Sequence, residues 1–253
     1  MGLDMLIKAL DPYERKARLY PVFIALIPVI AIVFCLYGIE RKFDAALMSL
    51  LASLGIFYLL SSVGREFGKR LEGELFKKWG GIPTTQLLRH RDSKIDSFSK
   101  ARYHTFLSEH LKINMPSIAD EEADPTAADH IYSGCISWLK EKTRDKKKFK
   151  MLSDENVTYG FRRNALGLKP LALVILIFSF FWILFSAHIL SLSGGSYLAL
   201  LNIDRAPLSA LLITLVMFLV WVFFFTQKSV HTAAFTYAQQ LIRACEVLPK
   251  KRS

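Results

Sequence analysis

Four long runs of this chain contain no Lys, Arg, Asp or Glu at all: Tyr20–Tyr37, Ala45–Val63, Pro170–Leu192 and Pro207–Thr226. A bilayer core about 30 Å thick takes roughly 20 mostly apolar residues to cross, so each run is long enough to span one. Cysteine is scarce as well. Cys35, Cys135 and Cys245 stand alone with no CxxC spacing, which excludes a disulfide framework and a cysteine-rich zinc site. The middle of the chain shows no alternating apolar–polar series, which argues against strands there. Also missing are GxSxG, HExxH and the GK[ST] of a phosphate-binding Walker loop, so no motif points to an enzyme, a metal or a cofactor.

What is present is positive charge, and its distribution matters more than its sum. Lys and Arg exceed Asp and Glu by 33 to 22, and only Arg41, Lys42 and Arg205 lie in the short connections between paired runs. The remainder lie before the first run, between the second and third, or near the C-terminal end. Basic flanks stay on the cytoplasmic side of a membrane, which predicts a multi-pass inner-membrane protein with both termini cytoplasmic. Met1–Arg18 carries seven charged residues ahead of the first run and does not read as a cleavable signal. The expected fold is an all-α membrane protein: four transmembrane helices as two hairpins, with a mostly helical cytosolic insert between them. The divisions are 1–18 (amphipathic N-terminal helix), 19–63 (first hairpin), 64–168 (basic cytosolic domain), 169–226 (second hairpin) and 227–253 (C-terminal helix and tail).

Local patterns fill in this frame. Leu3, Leu6, Ile7 and Leu10 recur at helical spacing, so Leu3–Ala17 reads as a helix on the membrane surface or as a latch against a neighbouring subunit or under a pore. In the second run Ala45, Ser49 and Ser53 recur every four residues; small side chains at that spacing allow close helix packing or line a narrow aqueous path. Gly64–Trp79 continues beyond the membrane as a charged helix, and Ser229–Val247 does the same after the fourth run. In the insert, helices are expected over Thr85–Arg91, Phe98–Leu111 and Thr126–Lys142, with a turn near Asp154.

Three segments of the insert carry candidate binding chemistry. In 79–91 (WGGIPTTQLLRHR), Gly80 and Gly81 end one helix and Thr84 or Thr85 caps the next. Such a corner presents free N–H groups to an anion, and Arg89 and Arg91 would add charge-assisted bonds; it also reads as an ordinary helix corner. In 100–104 (KARYH), Arg102, Tyr103 and His104 interleave cations with aromatics, as a base-and-phosphate contact does, or form a solvated basic face. In 156–164 (NVTYGFRRN), Arg162 and Arg163 sit in an expected polar elbow, facing anionic headgroups or coupling a ligand to the spans. The one acidic cluster, Glu121–His130, has hard-cation donors by type but reads as a loop leading into a helix. His104, Glu121, Glu122 and His130 are the residues a hydrolase reading would have to use.

The two hairpins, the basic segment with Arg89, Arg91, Arg102, Arg162 and Arg163, and the amphipathic start together resemble the four-helix membrane effectors of bacterial antiphage defence, those of the CBASS and Hailong type. The likeness covers the whole chain as architecture and contains no diagnostic motif. It implies a homo-oligomer around a central pore, closed at rest and opened by a nucleotide second messenger that a partner nucleotidyltransferase makes. Ser49 and Ser53 would then face the pore. Duplex nucleic acid is not an expected partner. A non-conducting anchor that recruits a cytosolic protein fits the same layout.

Overall fold

The computed structural model describes residues 13–37, 43–190 and 203–249, and every regular element among them is helical. Three helices are long and apolar enough to cross a membrane: α1 (Glu14–Tyr37), α7 (Lys150–Ser186) and α8 (Arg205–Phe224). The second apolar run lies on α2 (Phe43–Lys78), which continues without a break into the charged stretch. Between α2 and α7 come α3 (Pro83–Gln86), α4 (Ser97–Leu111), α5 (Ile118–Ala123) and α6 (Pro125–Lys142). The last helix is α9 (Gln227–Arg243), closed by a 3-10 turn at Ala244–Glu246. Internal contacts divide the chain into two units, Met1–Leu71 with Gly160–Val230 and Glu72–Tyr159 with His231–Ser253.

The first unit holds the apolar runs. Val22 and Ala25 of α1, Ala165, Leu168, Ala172 and Leu176 of α7, Met217 and Trp221 of α8, and Phe225 just beyond it form one buried cluster. Ile32, Ile183 and Ala210 form a second layer further along the same helices. α1 therefore packs on α7 and α8, which are its partners far along the chain. Phe178, Phe181, Phe185, Leu215 and Phe223 point outward, an arrangement that costs free energy in water and none in lipid.

Small residues set how closely the helices approach at one end of this cluster. A Cβ on Gly167 of α7 would come 2.5 Å from the Gly68 nitrogen of α2, and one on Gly68 would come 2.7 Å from Asn164 Oδ1. One on Gly64 would strike the Leu168 side chain at 2.7 Å. Gly64 and Gly68 form a GxxxG step, which lets two helix backbones meet. Asn164 then donates from Nδ2 to the Ala17 carbonyl of α1 at 2.8 Å, joining the third helix to the same point. Nearby, the last turn of α8 widens to a π-turn at Val220–Phe224, and Phe225 leaves helical geometry at φ −87°, ψ 85°. A terminus of this kind leaves carbonyls without donors. Lys169 supplies them, with Nζ 3.0 Å from both Val222 O and Phe225 O.

Several local expectations need correction. The polar elbow at 156–164 and the turn near Asp154 are both interior to α7, so Arg162 and Arg163 project from a helix. The start signal is Asp145, whose Oδ1 accepts from Lys147 N and Lys148 N, and the helix then runs on past Pro170, which lies inside it. The helix expected over Thr85–Arg91 amounts to Pro83–Gln86, followed by turns. Glu121 lies in α5, where Ser117 and Asp120 make a reciprocal capping box, and Asp124 caps α6. The Leu3–Ala17 helix lies mostly outside the described residues. Ser49 and Ser53 lie on α2, with side chains outside the description.

Substitution tests the glycine contact. Gly167→Ala should destabilise the detergent-solubilised chain by about 1–3 kcal/mol, because the clash is with backbone that has no rotamer to escape to. Gly73→Ala, with nothing within 4 Å of its Cβ, should instead stabilise it by about 0.5–1 kcal/mol through helix propensity. Thermal unfolding followed by circular dichroism reads both; equal shifts for the two variants would refute the contact.

Candidate functional site

The second unit is built around an apolar cluster in which Leu87, Leu88, Leu107, Tyr132, Cys135, Leu139 and Leu241 are completely or almost completely buried. The 79–91 segment lies over it. Gly80 at φ 82° and Gly81 at φ 133° take positive-φ conformations that favour glycine, and Gly81 N bonds back to Phe76 O at 2.8 Å, which closes α2. Gln86 then donates from Nε2 to Gly81 O at 2.6 Å and fixes the corner.

The polar residues of this corner turn inward. Arg89 lays its fork on Asp129 of α6, with Nε 2.7 Å from Oδ1 and Nη2 2.6 Å from Oδ2, and its Nη1 donates to Gly80 O at 2.8 Å. Only a tenth of the Arg89 side chain is exposed, so this bidentate pair holds the corner to α6. Glu121 is buried and accepts from His90 N at 2.7 Å and Tyr132 OH at 2.9 Å, with Arg91 N at 3.4 Å. Burial alone would raise its pKa. The three hydrogen bonds outweigh burial and hold it below the ordinary value. Lys100 reaches in from α4 to donate to Arg89 O at 2.5 Å and to Asp92 O. Burial lowers the Lys100 pKa, opposed by the charges of Asp92 and Glu121.

His104 Nε2 sits 2.8 Å from Leu88 O, a pure acceptor, so that nitrogen carries the proton. Burial drives its pKa below the usual histidine value, and the second nitrogen stays unprotonated at neutral pH. His90 packs edge-on against it at 4.9 Å and points its own Nε2 at Pro116 O. Thr85 Oγ1 lies 3.4 Å from Ser133 Oγ, and Thr84 Oγ1 is buried with no partner among the described residues. Arg91 is half exposed, with Nε 3.7 Å from Glu121 Oε1. Of the residues a hydrolase would need, His104 and Glu121 are thus spent on backbone and core partners.

Arg102 and Tyr103 belong to a different place. With Ala101, Thr105, Phe106 and Glu109 of α4 they line a groove of about 850 Å³ completed by Cys245 and Glu246. Tyr103 donates from its hydroxyl to Glu246 Oε1 at 2.8 Å, and Arg102 Nη2 is 3.6 Å from the same oxygen. Burial, then the bond to Glu246, pushes the Tyr103 pKa up to about 12, so it remains a donor. Arg162 and Arg163 lie in the other unit: Arg162 Nη1 donates to Ser229 O at 3.1 Å, and the buried Arg163 lies 3.3 Å from Asn164 Oδ1. The candidates therefore fall into three groups. Thr84, Thr85, Arg89, Arg91 and His104 share the corner, Arg102 and Tyr103 share the groove, and Arg162 and Arg163 lie on α7.

Sequence reasoning passed over Asp129, Glu121 and Glu246 as partners of these cations. The Ser117–Asp120 spacing was a visible helix-start signal; the pairings were not, because each joins positions at least 30 residues apart. Among the described residues no three His, Cys, Asp or Glu side chains gather as metal ligands. Comparison with protein-family models, curated proteins and solved structures finds no match to this chain.

Two measurements follow from this geometry. Arg89→Lys keeps the charge but loses the fork, and should cost about 1–2 kcal/mol of thermal stability. The depressed pKa of His104 gives a definite sign with pH. The unfolded imidazole protonates near pH 6.5 while the folded one resists, so its contribution is complete above about 6.5 and is lost as pH falls through the lower folded value. The unfolding free energy should fall between about pH 7 and pH 5, by at most about 1.4 kcal/mol per pH unit for this one group, and the melting temperature should fall with it. His104→Gln should flatten part of that slope, with His231, also lowered by burial, supplying the same sign.

Proposed function

We propose that this chain is a bacterial inner-membrane effector in antiphage defence: a ligand-gated oligomeric pore that responds to an anionic nucleotide by breaching the membrane. In this reading four spans form two hairpins, both termini are cytoplasmic, and several copies surround the conducting path. Support comes from the three helices of membrane-crossing length and from a separate unit whose polar groups are organised around a buried core. The observation that carries it is the contact of Arg102 and Tyr103 with Glu246 beside an open groove. Glu246 closes the turn after α9, the helix that follows the fourth apolar run in the chain.

A phosphate entering the groove competes with Glu246 for Arg102. Both side chains of that pair are half exposed or more, and such pairs contribute only about 0–1 kcal/mol, so displacing the carboxylate is cheap. A charge-assisted bond to the incoming anion contributes about 1.5–3 kcal/mol. Inverting a 99:1 equilibrium takes about 5.5 kcal/mol, which a few such bonds spread over an oligomer supply.

One observation favours the anchor reading instead. The groove offers two carboxylates, Glu109 and Glu246, against the single cation Arg102, a balance that also suits a basic segment of a protein partner.

Dye release from liposomes holding the purified chain, challenged with cyclic and linear oligonucleotides, separates the two. The pore reading expects ligand-dependent release, a half-effective concentration raised about tenfold or more by Arg102→Ala, and one lowered by Glu246→Gln. Silence under every nucleotide, together with a stoichiometric soluble partner in pull-downs, would sink the pore and leave the anchor.

A further inference from the structure

The charges around the glycine contact of the first unit are sorted in a way that the proposed pore does not require. Ala17, Gly68 and Asn164 meet at one point, so residues 15–18 of α1, 65–70 of α2 and 162–169 of α7 share one level. The two carboxylates at this level are both occupied locally, Glu14 by Arg18 and Glu66 by Arg70. The α7 cations Arg162 and Lys169 are turned onto the carbonyls of Ser229, Val222 and Phe225. Arg15, Lys16, Arg65 and Lys69 remain, all exposed and all without a carboxylate partner among the described residues.

Their depth is as informative as their sign. They lie two to six residues from the ends of the Tyr20–Tyr37 and Ala45–Val63 runs. At about 1.5 Å per residue that places all four within roughly 10 Å of the apolar segments. The headgroup region extends about 5–8 Å beyond each face of the hydrocarbon core, and the long Arg and Lys side chains bridge the small remainder. Lys77 and Lys78, equally exposed on the same α2, lie about two turns or more beyond it.

We infer that Arg15, Lys16, Arg65 and Lys69 form a collar that binds the phosphodiester headgroups of anionic phospholipid, held at one depth by the Gly64–Gly68, Asn164 and Gly167 contact. The ligand is a lipid and not a free anion, because acyl chains packed on the apolar runs hold its phosphate beside these four cations. The collar rests on the membrane-spanning reading alone and is independent of conduction and of any nucleotide.

The test is native mass spectrometry of the delipidated full-length chain titrated with phosphatidylglycerol or phosphatidylcholine. A cation near a charged membrane surface contributes about 1 kcal/mol, or roughly fivefold in binding. The intact chain should prefer phosphatidylglycerol by roughly tenfold or more. Arg15→Gln, Lys16→Gln, Arg65→Gln and Lys69→Gln combined should abolish that preference, while Lys77→Gln with Lys78→Gln should leave it. At a constant ionic strength of about 0.05 M, inorganic phosphate and glycerophosphate should not compete; if they do, the site is for a free anion and the collar is overturned. A measurement on the unaltered chain guards against a misfolded variant: the preference should collapse between about 0.05 M and about 0.5 M salt. Persistence in high salt, or equal loss in the Lys77/Lys78 variant, overturns the collar. Failure of the chain to float with neutral vesicles overturns the spanning reading and the collar with it.

Discussion

The first unit depends on one close approach, that of the α2 and α7 backbones where Gly68 meets Gly167. No side chain fits between them, since a Cβ at Gly167 would lie 2.5 Å from a backbone nitrogen. Because the helices touch there, Asn164 can reach the Ala17 carbonyl, and α1 is drawn to the same point. Lys169, one turn further along α7, comes within reach of the carbonyls released where α8 unwinds. In lipid, burial of apolar surface gives no net drive, so van der Waals contact and interhelical hydrogen bonds must hold helices together. This junction supplies both within two turns of α7.

The second unit solves a different problem. Its corner at Gly80–Asp92 runs over an apolar core and so brings backbone donors and acceptors out of water, where each must find a partner. Glu121 takes two N–H groups and a hydroxyl, Lys100 takes two carbonyls, His104 a third and Arg89 a fourth. The charged side chains that look like a ligand site in sequence are in large part the means by which an irregular loop is kept buried. What they leave at the surface is the groove, where the exposed Arg102 meets Glu246 beside the buried Tyr103.

Much of the frame was legible residue by residue. Charge-free runs mark helices suited to lipid because the cost of burying an ion in hydrocarbon is large whatever the neighbours are. The helices over Ser97–Leu111 and Pro125–Lys142 were legible for a similar reason, since apolar periodicity and caps are local. The small-residue reading looked to Ala45, Ser49 and Ser53, yet the closest described approach is at Gly64 and Gly68, a GxxxG step masked by the charges beside it. The expected elbow before the third run failed for another local reason. Paired Arg, an Asn and a Gly look like a connection, but in α7 each of them serves a neighbour and the helix continues.

Sequence alone determined which segments avoid charge, where the positive charge accumulates and that the chain is helical, because solvation and backbone propensity belong to single residues and short windows. Only the tertiary structure decided which cations are spent and which remain. Arg89 was taken by Asp129, Lys100 by two carbonyls and Lys169 by the end of α8, while Arg102 was left at a groove and Arg15, Lys16, Arg65 and Lys69 exposed beside the apolar runs. That sorting depends on partners tens of residues away, and a charge carries no mark in sequence of the partner that folding will bring to it.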